Sequence, residues 1–169
     1  MKKNNKILLV KSAKRIMMSS IKNTLISEFV DIDKAEGRIL SENLYSNIDL
    51  PRHNNSAVDG FGFLFRSLKK IEKYELVGES KPNVPFKKNI KENQIVKFFT
   101  GAYVLNSTNI DTICFEENCK IDGNEVCILN KPKKGGNIRL RGEDIKKNNL
   151  ILKKGTKIRT VDLAQLSSV

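Results

Sequence analysis

Few residues in this chain have the type and setting to do chemistry, and the first is Asp59. It sits in the stretch Leu50-Pro51-Arg52-His53-Asn54-Asn55-Ser56-Ala57-Val58-Asp59-Gly60-Phe61-Gly62-Phe63. Small and polar residues crowd around this one carboxylate. Gly60 follows at once and accepts backbone angles that a residue with Cβ would resist. Pro51 stops any helix arriving from upstream and biases Leu50 towards extended chain. An acid so placed binds a divalent cation, orients water or accepts a proton. The same residues also make a plain polar turn, with the acid bonded to nearby backbone.

Two further groups follow. Thr100-Gly101 closes a strand-like run, where a hydroxyl and uncrowded backbone N–H groups can meet an oxyanion; a simple strand-to-loop turn has the same composition. Arg139 and Arg141 stand two apart, so on a strand both guanidiniums face one side and can grip an anion bidentately. With Glu143 and Asp144 beside them, an internal salt-bridge network is the competing reading, and it is the one favoured for the arginines. Glu116 and Glu117 fall at a strand end and read as a solvated face. His53, the single histidine, has no nucleophile and acid around it and reads as a surface or contact residue.

The elements that must position these groups follow from periodicity. Ile16, Met17, Ile21, Leu25, Ile26 and Phe29 recur at helical spacing and predict a helix from Lys11 to Phe29. Asp31 or Asp33 can cap a second helix through Arg38-Ile39-Leu40, weakened by Gly37. Leu44 to Leu50 reads as extended. Strands are expected at 61–65, 74–78, 95–99 and 111–116, with an irregular proline-containing segment at 80–91. Cys119-Lys120-Ile121 and Glu125-Val126-Cys127-Ile128-Leu129 flank Asp122-Gly123-Asn124, a hairpin turn by composition. Gly135-Gly136 marks the exit from this β-rich body. A turn at Lys147-Asn148-Asn149, a short run at Leu150-Ile151-Leu152 and a helix from Thr160 through Leu166 complete the chain.

Four of these segments, in order, resemble one known family. Pro51 to Phe63 is similar to the Pro-x-x-Asp-Asn-Ser-Ala-Met-Asp-Gly-Tyr-Ala signature of the molybdopterin molybdenumtransferases (bacterial MoeA and the E domain of gephyrin). Asn54 stands where the family has Asp, Val58 for Met, Phe61 for Tyr and Gly62 for Ala. Phe98-Phe99-Thr100-Gly101-Ala102 resembles Ile-Met-Thr-Gly-Ala, though Tyr103 replaces the usual proline. Asp111 to Glu117 is similar to the strand Ala-Asp-Ala-Val-Val-Met-Gln-Glu. Arg139 to Ile145 resembles Arg-x-Arg-Gly-Glu-Asp-Ile.

The resemblance implies an α+β fold: an elongated helix-containing domain built from both chain ends, 1–45 and 136–169, with a β-rich domain, 46–135, inserted. Family members continue past the Leu-Ala-Gln-Leu-Ser-Ser segment into a nucleotide-binding-like α/β domain, so the chain resembles their first two domains. The implied activity is insertion of molybdate into adenylylated molybdopterin with release of AMP. A homodimer is implied, and Mg2+ is expected for the full-length enzyme, with no metal ligand assigned within this stretch. The implied catalytic residues are Asp59, Thr100 and Asp144. The implied anion-binding residues are Asn55, Ser56, Gly60, Gly101, Arg139 and Arg141. A non-catalytic dimerisation or anion-binding module is the alternative.

Composition narrows the classes further. In a chain of 169 residues, 31 basic side chains against 19 acidic ones leave a net charge of +12. The lysines are scattered and do not alternate with aromatics, which makes nucleic acid an unlikely partner and an anionic small molecule a better one. Cys114, Cys119 and Cys127 form no Cys-x-x-Cys pair and cannot complete a zinc set with His53. Unpaired cysteines point to a reduced, cytoplasmic setting. The apolar run Ile7-Leu8-Leu9-Val10 is too short for a signal-peptide core, and no membrane association is expected.

Overall fold

The computed structural model describes residues 8–21 and 26–169. Helix α1 spans Val10–Ser20, shorter than the expected 11–29. Ser19 and Ser20 donate their hydroxyls back to the carbonyls of Ile16 and Met17, a local bond that favours ending a helix over extending it. Ile26 and Phe29 lie in irregular chain, and Leu25 lies outside the described residues. No residue of α1 is buried.

The expected second helix does not form. Ile32–Lys34 makes a single 3-10 turn, and Gly37 adopts φ +76°. Beyond it Arg38–Leu40 is extended and pairs with the far end of the sequence: Gly37 N–H donates to Ile158 O, Ile158 N–H to Arg38 O and Leu40 N–H to Thr156 O. Tertiary pairing overrides helix propensity here. Strand β1 (Leu44–Tyr45) extends this join by pairing with residues 150–152.

The middle of the chain builds the sheet. After β2 (Asn55–Ser56) come β3 (Gly60–Phe63), β4 (Tyr74–Ser80) and β5 (Gln94–Phe98). Then β6 (Thr112–Phe115), β7 (Cys119–Asp122) and β8 (Glu125–Ile128) follow. The expected strand 61–65 stops at Phe63, because Asp111 Oδ1 accepts the Phe65 N–H at 2.7 Å and Phe65–Lys69 turns into a 3-10 segment. The predicted hairpin is present, with Asp122 opposite Glu125 across Gly123-Asn124. The six strands order as β6-β3-β5-β4-β8-β7, all pairs antiparallel except β4 with β5.

The alternation Phe61-Gly62-Phe63 shows how this sheet is buried on both faces. Phe61 and Phe63 pack with Tyr74, Ile95, Cys114 and Val126 on one face. The opposite face holds Val96, Phe98, Ile110 and Ile113, and glycine at 62 leaves room for the Phe98 ring, which a Cβ would meet at 2.6 Å. Each fully buried phenylalanine contributes about 1.5–3 kcal/mol of hydrophobic stabilisation.

The chain then returns through β9 (Ile138–Arg139), paired with β2, and β10 (Leu150–Leu152), paired with β1. Helix α2 (Thr160–Leu166) closes it. Asp162, almost fully buried, accepts the Arg159 N–H at 2.9 Å and the guanidinium at 2.7 Å. The architecture is α+β, with helices near both ends and a β-rich centre. Among the described residues no helix is long and apolar enough to cross a membrane.

Candidate functional site

Asp59 stands one residue before β3, at the edge where β3, β5 and β6 end together. Its Oδ1 accepts the Thr100 N–H at 2.7 Å and the Thr100 hydroxyl at 2.8 Å. Its Oδ2 makes no hydrogen bond among the described residues, and both Asp59 and Thr100 are exposed. Those two donors, the N–H first, hold the Asp59 carboxyl below its ordinary value, with the charge of Lys97 adding to them. An acid so stabilised is ionised at neutral pH. It is a poor proton acceptor there, and better suited to binding a cation or orienting water.

The residues that shape this pair were expected for other reasons. Gly60 lies inside the sheet, opposite Phe98 on β5 and Phe115 on β6, and a Cβ there would run into the carbonyl of Cys114. Close strand packing by itself requires a glycine here. Ser56 is buried and its hydroxyl donates to Val58 O at 2.6 Å. Gly101, at φ +82°, donates its N–H to Ser56 O, and Ala102 donates to Phe99 O. The Thr100-Gly101 turn therefore has its backbone donors occupied internally, and the expected free N–H groups are not on offer. Asn55 is half-buried, with its backbone opposite Arg139 and Tyr103. His53 rests its ring on Tyr103, centroids 4.7 Å apart.

Arg139, Arg141 and Asp144 gather elsewhere. Strand β9 ends at Arg139 and the chain turns at Gly142, φ +71°, so the two arginines do not share a strand face. Arg139 holds Glu143 at 2.7 Å and both oxygens of Asp144 at 2.6–2.7 Å. Arg141 pairs with Asp49 at 2.7 Å, whose other oxygen accepts the Lys147 N–H at 2.8 Å. The guanidiniums are paired with carboxylates of this chain, as the salt-bridge reading expects. No hydrogen bond joins Asp144 to Asp59 or Thr100 among the described residues.

One neighbour of Asp59, Lys97, escaped the sequence reading, and another, Glu116, was read there as solvated. The Lys97 ammonium lies 2.8 Å from Glu116 and over the rings of Phe61 and Phe99, at 5.9 and 5.5 Å from their centroids. Glu116, read from sequence as a solvated end, also donates its N–H to Asp59 O at 3.2 Å. The available signal was parity: Lys97 alternates with the buried Ile95 and so belongs on the Phe61 face. Among the described residues no three His, Cys, Asp or Glu side chains converge as metal ligands.

This geometry sits on a chain whose relatives are recognisable. The family model described as the MoeA N-terminal region (domain I and II) matches residues 8–169, and the chain belongs to that family. A molybdopterin molybdenumtransferase of Haemophilus influenzae is 27% identical over 164 residues, which cover 96% of this chain and 40% of that protein. One from Staphylococcus epidermidis is 28% identical over 173 residues, covering 98% of this chain and 40% of the relative. A solved molybdopterin biosynthesis MoeA protein from Pyrococcus horikosii superposes with a TM-score of 0.83 at 25% identity, over 97% of this chain and 42% of that one. The chain thus spans about 40% of the length of the curated relatives it matches.

Proposed function

We propose that this chain is the part of a molybdopterin molybdenumtransferase that supplies Asp59 and Thr100 to the insertion of molybdate into adenylylated molybdopterin. The observation carrying this reading is the Asp59 carboxylate: ionised, exposed, with one oxygen held by Thr100 and the other without a hydrogen bond among the described residues. A carboxylate facing anionic substrates is unfavourable unless a cation or a polarised water lies between them. Mg2+ fits as a bridge only in part. Asp59 would provide one ligand, and phosphate oxygens and water the rest, the usual Mg2+ arrangement.

The test is a molybdate-insertion assay of the enzyme that carries these residues. Asp59→Ala is expected to lower activity by about 10²-fold or more. Wild-type activity in that variant would end the proposal. The 169 residues alone are expected not to turn over, since their relatives are longer; turnover by them would contradict the idea that another region completes the site.

A second reading, assembly into a homodimer, has its own support. Helix α1 buries none of its residues, and Ile16, Met17 and Met18 are exposed. A cavity of about 670 Å³ among Phe29, Val30, Leu40, Tyr45, Ile158 and Leu166 is also apolar in lining. Sedimentation showing a concentration-independent monomer would remove this reading. We further read 46–135 as a domain inserted between 1–45 and 136–169. The β1–β10 pairing supports it, while the β2–β9 pairing ties the two parts together. Limited proteolysis yielding a stable piece near 46–135 is the expected outcome.

A further inference from the structure

Lys97 is a cation whose charge acts on the Asp59 carboxyl and that is shielded from water, its side chain only 27% exposed. On β5 it stands directly opposite Phe61, which puts its stem on the Phe61 face of the sheet. A lysine at a solvated strand end extends its ammonium into water. This one is turned against the rings of Phe61 and Phe99 and onto Glu116. Those contacts reach all three segments that form the site. Phe61 follows Asp59 on β3, Phe99 immediately precedes Thr100, and Glu116 donates its N–H to the Asp59 carbonyl.

We propose that Lys97 is a positioning residue: bonded to Glu116 and seated against Phe61 and Phe99, it holds Asp59 and Thr100 together at the end of the sheet. The inference rests on Asp59 being the functional acid of the preceding section. Two hydrogen bonds from one threonine to one carboxylate oxygen require the Phe99–Ala102 turn to stay folded towards β3. Lys97 grips that turn through Phe99, and grips the β3 side through Glu116 and Phe61. The other charges at this end are Lys81, 5.5 Å from the Phe99 centroid, and its partner Glu79 at 2.5 Å. Of the groups that Lys97 touches, Lys81 reaches the Phe99 ring alone among the described contacts, so it does not bridge the turn to β3. Lysine is suited to the role because its charge is compact and its stem apolar, so one side chain serves both the rings and the carboxylate.

The test needs no turnover and uses the 169-residue chain. Asp59 carboxyl titration and amide hydrogen exchange are followed by NMR in wild type, Lys97→Met, Lys97→Arg and Glu116→Gln. In Lys97→Met the Asp59 midpoint is expected to move up towards the ordinary carboxylate value. The Thr100 amide should exchange several-fold faster while Val96 and Phe98 in the strand stay protected. Lys97→Arg should restore both, and Glu116→Gln should reproduce the loss in weaker form. An unchanged Asp59 midpoint and Thr100 exchange rate in Lys97→Met would overturn the proposal. So would equal acceleration of all β5 amides, which marks general loosening instead of positioning. Failure here leaves the Asp59→Ala activity result untouched, so the two proposals fall separately.

Discussion

Two acidic clusters in this chain use the same residue types to opposite ends. Around Asp144, the carboxylates of Asp49, Glu143 and Asp144 are each clamped by an arginine within 2.7 Å. Around Asp59, hydroxyl and amide donors take one oxygen and, among the described residues, leave the other open. The first arrangement satisfies its charges within the chain and ties β9 and the following turn to Asp49. The second leaves ionised charge facing outward. An acid held by neutral donors keeps its charge for a ligand; an acid held by guanidinium shares it with the chain.

The sharpest way to break this contrast acts on the frame beneath Asp59. Gly60→Ala would force a Cβ into the Cys114 carbonyl between β3 and β6. A destabilisation of about 3 kcal/mol or more is expected, of the size seen when a packed core has no room to yield. Urea denaturation measures it. Gly123→Ala, where no atom of the described residues lies within 4 Å of the added Cβ, should cost far less, limited to the strain of its φ of +58°.

Exchanging the acids tests the contrast directly. Asp59→Asn should leave the urea midpoint nearly unchanged while abolishing most activity in the complete enzyme. Arg139→Met should do the reverse on stability, lowering Tm, because Glu143 and Asp144 then repel without a counter-ion. A fall in Tm for Asp59→Asn as large as that for Arg139→Met would erase the distinction.

The smallest expected effect is acid sensitivity. Asp162 is held down to about 2 by Arg159, from an ordinary value of 3.8, and Asp49 and Glu143 are lowered too. A lowered folded-state value means that the stabilisation is complete above the ordinary carboxylate range and fades as protons bind below it. For Asp162 the window runs from about pH 4 down to about pH 2. Denaturation midpoints should therefore decline through that range, and Asp162→Asn should flatten part of the decline.

Much of this was legible in the residues. The Phe61-Gly62-Phe63 alternation, the Asp122-Gly123-Asn124 turn and the helix at 160–166 are local patterns, and local patterns survive folding. Asp59 and Thr100, singled out separately, meet in one hydrogen-bonded pair although 41 positions apart. Failures came where long-range partners outbid local preference. Arg38–Leu40 carries helix formers, yet pairs with Thr156–Ile158 as extended chain. Arg139 and Arg141 have strand spacing, yet Gly142 turns the chain between strand and acid.

Sequence alone determined which residues could act and where the local turns and the strongest strand patterns fall, because side-chain type, periodicity and glycine placement are properties of neighbours along the chain. Only the tertiary structure decided which donors remain free. Whether Gly101 offers its N–H to a ligand or to Ser56, and whether Lys97 faces water or Glu116, depends on strand register, which no run of adjacent residues specifies.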